Sequence, residues 1–187
     1  MSIVVAVSKN GRTVMAADTQ SNFGSKAMPT DNQSSSKIRR VGDALLGRTG
    51  WGIYENILDD VLAEGTPPDL VARPQVFRFF TEVWKTLRKR YSFVTDRSGR
   101  RDSPFGDMGG SFLVASPGVV YYVSPNLGVS EFKQYFAIGS GADYALGALY
   151  QMYDGPDDAE RLARRAVETA AALNVHCGGG IEQLELQ

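Results

Sequence analysis

The sequence predicts an α+β fold, a four-layer αββα sandwich in which two antiparallel sheets stack face to face and a helix pair covers each outer surface. Strand-like segments occur in pairs around tight turns, which is typical of antiparallel sheets. Segments with helical periodicity occur in two separate batches. Stacked sheets with a helix pair outside each would bury every apolar face.

The first predicted hairpin begins with Ile3 to Val7, a continuous apolar run typical of a strand that is buried on both faces. Asn10-Gly11 follows, and this pair is a strong signal for a two-residue hairpin turn. The return strand covers residues 13–18. The polar stretch over residues 19–36 is expected to be a loop that could include a short strand.

The next elements are a second hairpin and two helices. The hairpin covers residues 37–47, around a Gly42-Asp43 turn. Apolar residues then recur at helical spacing from Ile53 to Leu62, and Gly65 stops this helix. A second helix opens near Pro74.

The second half of the chain begins with a polar, basic segment, residues 95–109, that is expected to be a mobile loop. Asp157 or Asp158 can cap the last helix. The remaining predicted elements are a hairpin over 111–123, one strand over 132–138, helices over 143–153 and 157–173, and a final strand over 181–186.

Composition favours one globular domain over residues 1–187, because a chain of this length buries roughly 70% of the surface that its unfolded form exposes. The net charge of −1 gives no reason to expect nucleic acid or a membrane as partner. The single cysteine, Cys177, excludes an internal disulfide and fits a reducing compartment. The single histidine, His176, excludes a multi-histidine metal site, and no cofactor is expected. Without a membrane-length apolar run or a secretory signal, the protein is expected to be cytoplasmic.

Ser2 is the first candidate catalytic residue. If Met1 is removed, the α-amino group of Ser2 has a reference pKa of about 7.7–8.0, which is low enough to accept a proton from the adjacent hydroxyl. Many cytoplasmic proteins begin with Met-Ser, so this signal is weak alone. Asp18 and Lys37 adjoin the neighbouring apolar strands, where a lysine could lower the pKa of a hydroxyl and an aspartate could orient it. The alternative is a turn aspartate and an exposed basic strand.

The segment from Gly47 to Gly50 joins a strand to a helix. A backbone N–H there could stabilise an oxyanion, or the segment could be an ordinary turn. Taken together, these segments resemble the proteasome β-subunit superfamily of N-terminal nucleophile hydrolases, and in particular the bacterial HslV-type peptidases and bacterial proteasome homologues. The resemblance covers nearly the whole chain and is carried by three stretches: residues 2–20, residues 37–40 and residues 136–141.

The resemblance implies a role for each matching residue. Ser2 is at the position of the family's N-terminal threonine, so its hydroxyl would attack the peptide carbonyl and its amine would take the proton. Asp18 and Lys37 are at the positions that tune this nucleophile. Gly50 would donate its N–H to the oxyanion, and Ser140 would hydrogen-bond around the terminal amine.

Three further positions are implied to bind substrate, and Arg48 among them would favour acidic residues before the scissile bond. The other two are Thr19 and Gln20. The resemblance also implies partners: identical subunits in stacked rings, unfolded polypeptide as substrate, and an ATP-dependent unfoldase that could feed the ring.

The sequence departs from the family at three positions. Serine replaces threonine at position 2, so the methyl group that restricts the rotamer is absent. Asn174 is at the position where many members have an aspartate, and Cys177 is where many have a serine. Two alternatives therefore stay open: an inactive structural ring subunit, and an amidohydrolase or transpeptidase of the same fold that acts on a small amide.

Overall fold

The computed structural model describes residues 2–24, 26–28, 34–91 and 106–186. In this part of the chain, an N-terminal group of strands, a helix pair, a second group of strands, a second helix pair and a last strand follow one another. The elements are β1 (Ile3–Lys9), β2 (Arg12–Asp18), β3 (Asn22–Phe23), β4 (Lys26–Ala27), β5 (Ile38–Val41), β6 (Ala44–Gly50), α1 (Ile53–Ala63), α2 (Arg73–Arg90), β7 (Gly110–Ser116), β8 (Val119–Val123), β9 (Val129–Phe132), β10 (Tyr135–Gly139), α3 (Ala142–Met152), α4 (Ala159–Leu173) and β11 (Ile181–Glu185).

Two main antiparallel sheets form the centre of the structure. One has four strands in the order β10-β1-β2-β11, and the other has five in the order β5-β6-β7-β8-β9. The short β3-β4 pair lies within the polar stretch that follows β2. These two sheets and the four helices confirm the predicted α+β sandwich.

The alternation of side chains along β1 explains why this strand is apolar throughout. Val4 and Ala6 face the second sheet, where they pack in a cluster with Leu45 and Leu113. Val5 belongs to the cluster that α3 and α4 form on the outer face. Because both faces of β1 are covered, every residue from Ile3 to Val7 is buried.

A third apolar cluster lies between the five-stranded sheet and the first helix pair. Phe80 of α2 contacts Phe112 of β7, with ring centroids 4.8 Å apart. The four layers are therefore α1 with α2, the five-stranded sheet, the four-stranded sheet, and α3 with α4.

The predicted turn between the first two strands is confirmed. Asn10 has a φ of 52° and Gly11 a φ of 77°. Positive φ at both central residues is the requirement of a type I′ turn, which asparagine and glycine meet at low cost.

The prediction of one strand over residues 132–138 was wrong. β9 ends at Phe132 in the five-stranded sheet, and β10 begins at Tyr135 and pairs with β1 in the other sheet. The chain crosses between the sheets at Lys133 and Gln134. Aromatic residues lie on both sides of this break, and the rings of Phe132 and Phe136 stack across it, with centroids 4.1 Å apart.

The helix boundaries follow local signals. The side chain of Gln75 accepts the N–H of Ala72 at the start of α2. Asp158 caps α4, since its side chain accepts the N–H of Arg161 over 2.9 Å. Most of the predicted 95–109 loop, residues 95–105, lies outside the described residues. Within the described ranges, no helix is long and apolar enough to cross a membrane.

Candidate active site

Ser2 lies at the open end of the β1-β2 hairpin, beside the last residue of β2. Because the two strands are antiparallel, the start of β1 is next to Asp18. The N–H of Ile3 donates to Asp18 Oδ1 over 2.9 Å. Ser2 is 7% exposed and Asp18 is fully buried. The hairpin therefore places Ser2 and Asp18 at neighbouring buried positions.

Lys37, the residue before β5, joins this pair from the other sheet. Its Nζ atom lies 2.6 Å from Asp18 Oδ1 and 2.7 Å from the carbonyl oxygen of Gln20. The N–H of Gly178 donates to Asp18 Oδ2 over 3.0 Å. Asp18 thus accepts from three donors, and it links Lys37 to the backbone of Ile3, the residue after Ser2.

The environment of Lys37 has two opposing effects on its pKa. Burial lowers the pKa of Lys37 from its ordinary value of 10.5, while the negative charge and hydrogen bond of Asp18 raise it. The contacts of Nζ with a carboxylate and a carbonyl oxygen require a donor, which fits the ammonium form.

The turn between β10 and α3 wraps around Ser2. Ser140 Oγ lies 3.3 Å from Ser2 N and 3.5 Å from Ser2 O. Gly139 has a φ of 106°, and a Cβ atom there would overlap the carbonyl oxygen of Ser2. Only glycine at position 139 therefore lets β10 approach this close.

Asn174 ties the same turn to the end of α4. Its Nδ2 donates to Ser140 O over 2.6 Å, and its Oδ1 accepts the N–H of His176 over 2.9 Å. One neighbour is an acceptor and the other a donor, so an amide satisfies both and a carboxylate would not. Cys177 Sγ lies 3.8 Å from Ser140 Oγ, and burial raises the pKa of this thiol.

Gly50 is the last residue of β6. It has a φ of 108°, and a Cβ atom there would lie 2.7 Å from Gly109 O. The missing Cβ of Gly139, which would overlap Ser2, would also lie 3.1 Å from Thr49 Cγ2. The end of β6 therefore adjoins Ser2, and α1 begins three residues after Gly50.

The three residues implied to bind substrate differ in their surroundings. Thr19 and Gln20 border the site, where Thr19 Oγ1 accepts from Gly180 N over 2.7 Å and Gln20 N donates to Gly178 O over 2.9 Å. Arg48 is buried on the opposite face of β6 from Thr49 and pairs with Glu55 of α1, with 2.6 Å between Arg48 Nη2 and Glu55 Oε2.

Sequence reasoning missed Glu182, which accepts the backbone N–H of Lys37 over 2.7 Å. Strand alternation puts Glu182 on the same face as Leu184, towards the second sheet, but it does not reveal the partner. The fixed conformation of Gly139 was also missed. Among the described residues, no group of three metal-binding side chains comes together.

Known proteins resemble this chain in sequence and in fold. No family model matches the sequence. The chain is 28% identical over 185 residues to the ATP-dependent protease subunit HslV of Pseudothermotoga lettingae, covering 95% of this chain and 93% of that protein. It is 28% identical over 192 residues to HslV of Hyphomonas neptunium, with 98% and 92% covered.

The structure is similar to that of Thiobacillus denitrificans BPH in complex with epoxomicin, with a TM-score of 0.90, 30% identity, and 99% and 98% of the two chains covered. HslV from Trypanosoma brucei shares the fold, with a TM-score of 0.68 and 22% identity over 99% of both chains. The layers define the class of N-terminal nucleophile hydrolases. Within that class, the chain belongs to the proteasome β-subunit superfamily and is HslV-like, and it is an N-terminal nucleophile endopeptidase.

Proposed function

We propose that residues 1–187 form one proteasome-type domain that works as a subunit of an ATP-dependent protease and cleaves peptide bonds of unfolded polypeptides. Its nucleophile is Ser2, exposed by removal of Met1. One observation carries this proposal: Ser140 Oγ lies 3.3 Å from Ser2 N, while the next backbone N–H shares Asp18 Oδ1 with Lys37.

The free amine of Ser2 acts as the general base. With a reference pKa of about 7.7–8.0, it accepts the proton of its own hydroxyl as Oγ attacks the peptide carbonyl carbon. The oxyanion of the tetrahedral intermediate accepts a hydrogen bond from Gly50 N–H. The amine then gives its proton to the leaving nitrogen, the C–N bond breaks, and an ester on Ser2 remains. Water, deprotonated by the same amine, hydrolyses this ester.

The surrounding groups prepare this chemistry. The ammonium of Lys37 favours the anionic form of the attacking oxygen, and Asp18 holds that ammonium in place. Ser140 and Asn174 orient the amine through the contacts described above. Since serine lacks the β-methyl group, its χ1 is less restricted, and we expect a lower rate than a threonine would give.

Ring assembly and an ATP-dependent unfoldase are part of the proposal because two relatives are named as subunits of ATP-dependent proteases. Thr19 and Gln20 border the nucleophile and are proposed to contact the substrate backbone. Arg48 is proposed to influence specificity, but Glu55 neutralises its charge. A preference for acidic residues should therefore be weak, and Glu55→Gln should strengthen it in a peptide library assay.

Intact-mass measurement combined with peptidase assays tests the proposal. The purified protein should lack one methionine residue, and Ser2→Ala should abolish hydrolysis of fluorogenic peptides. Ser2→Thr is the matched variant, which should retain activity or increase it. Unchanged activity in Ser2→Ala would refute the nucleophile. Full retention of Met1 would instead indicate an inactive ring subunit, and cleavage of small amides without cleavage of peptides would indicate an amidohydrolase.

A further inference from the structure

Glu182 is the second residue of β11. Its two carboxylate oxygens bind one short segment of the other sheet. Oε1 accepts the backbone N–H of Lys37 over 2.7 Å, and Oε2 accepts from Ser36 Oγ over 2.7 Å. Because each oxygen accepts a hydrogen bond from this segment, the carboxylate is a two-point clamp on it.

The clamp joins the two sheets at the active site. Glu182 pairs with Ala17 in the four-stranded sheet, one residue from Asp18. Lys37 immediately precedes β5 of the five-stranded sheet. Two adjacent positions of the β2-β11 ladder therefore hold opposite ends of the same lysine: Asp18 holds its ammonium, and Glu182 holds its backbone.

The second glutamate, Glu55 of α1, completes the attachment of this segment. It accepts from Ser35 Oγ over 2.5 Å and from Ser36 N over 3.3 Å. A lysine side chain has several rotatable bonds, and ordering it costs rotamer entropy. When the backbone of Lys37 is fixed, fewer of its side-chain conformations place Nζ away from Asp18.

We infer that Glu182 is a positioning residue for the reaction: from β11, it holds the backbone of Lys37 in place. The inference rests on the proposed function, since it concerns the lysine that serves Ser2. Electrostatics adds to the geometry. Burial lowers the pKa of Lys37, and three neighbouring groups raise it, Asp18 most strongly, followed by Cys177 and Glu182.

The test compares two glutamates of the same strand in the assembled protein. Glu182→Ala should lower kcat roughly 10- to 100-fold with little change in KM, because a misplaced catalytic group costs rate rather than binding. Glu185 is the matched control: it binds Arg12 at the other end of the hairpin, with 2.6 Å between Glu185 Oε1 and Arg12 Nε. Glu185→Ala should leave kcat unchanged.

Glu182→Gln separates geometry from charge, and it covers the case in which Glu182→Ala does not assemble. The amide oxygen can still accept the N–H of Lys37, so most of kcat should remain. The anion is lost, so the alkaline limb of the kcat/KM profile should move to lower pH. A role in stability alone would not move this limb.

Two results would overturn the inference. One is that Glu182→Ala and Glu182→Gln keep the wild-type kcat and pH profile while Ser2→Ala is inactive. This result would leave the proposed function intact. The other is an equal loss of activity in Glu182→Ala and Glu185→Ala that follows their melting temperatures. Activity in Ser2→Ala would instead refute the proposed function itself.

Discussion

The two ends of the β1-β2 hairpin both carry charged residues, but in opposite surroundings. At the open end, the side chains of Lys37 and Asp18 are 9% and 1% exposed. At the turn end, those of Arg12 and Glu185 are 38% and 39% exposed. Arg12 also contacts Asp158 and Glu160 of the α4 N-terminus. The same pair of strands thus builds a buried ion pair at one end and a half-exposed network at the other.

The difference teaches what each end is for. An ion pair near the surface gains little because water screens it and its side chains lose entropy. A buried pair must first lose its hydration, so it is weak evidence for stability as such. The buried pair at the open end therefore needs another reason, which the contact of Asp18 with the backbone next to Ser2 supplies. The half-exposed network at the turn end is expected to contribute only modestly to stability.

Asp18→Ala should have the largest effect and would test the buried end directly. It leaves the Lys37 ammonium buried without its carboxylate, which costs about 3–5 kcal/mol of unfolding free energy. The N–H groups of Ile3 and Gly178 lose their acceptor as well. Urea unfolding measures the first loss, and peptidase activity should disappear. An activity and a stability within error of the wild type would show that the two ends are equivalent.

Asn174→Asp should have a smaller effect, confined to catalysis. The carboxylate cannot donate to Ser140 O and instead repels it, so the turn that holds Ser2 N shifts. A misplacement of this kind costs roughly 10-fold or more in rate. The added charge should also raise the pKa of the Ser2 amine and move the acid limb of the activity profile to higher pH.

Asn126→Asp is the matched control for this variant. Asn126 is exposed, and its contact with Ser124 uses only an acceptor oxygen, which aspartate retains. Its kcat and pH profile should equal those of the wild type. If Asn174→Asp behaves like Asn126→Asp, the amide of Asn174 has no positioning role.

Much of the fold and part of the candidate site could be predicted from the sequence. Local signals located the hairpins and the helix pairs, because turn residues and apolar periodicity act over a few positions. The grouping of Ser2, Asp18 and Lys37 was implied by the family resemblance and not by these local signals. The break between Phe132 and Tyr135 could not be seen, since aromatic residues lie on both sides of Lys133 and Gln134 and read as one strand. The partner of Glu182 could not be seen either, because it lies 145 positions away in the chain.

The response to alkaline pH should separate activity from stability at the buried end. Burial lowers the pKa of Lys37 below 10.5, so its charge, and with it the activity, should be lost at a lower pH than an exposed lysine would allow. Between that lowered pKa and 10.5, the unfolded chain binds more protons at this position than the folded chain. The contribution of Lys37 to stability therefore rises with pH in this window.

Activity profiles and thermal melts across the alkaline range check this prediction. The activity should fall while the fold persists. A loss of activity that coincides at every pH with loss of the folded state would contradict the assignment of the alkaline limb to Lys37.

Arg12→Ala should have the smallest effect and tests the turn end. Its guanidinium contacts three carboxylates, but all of these side chains are at least 38% exposed, so water and salt screen them strongly. The melting temperature should fall only slightly, and less at high salt than at low salt. Peptidase activity should not change, because Lys9 still anchors this end through the carbonyl oxygens of Tyr153, Gly155 and Asp157. A loss of activity comparable to that of Asp18→Ala would mean that the exposed network transmits order along the hairpin to Ser2, and that burial does not separate the two ends.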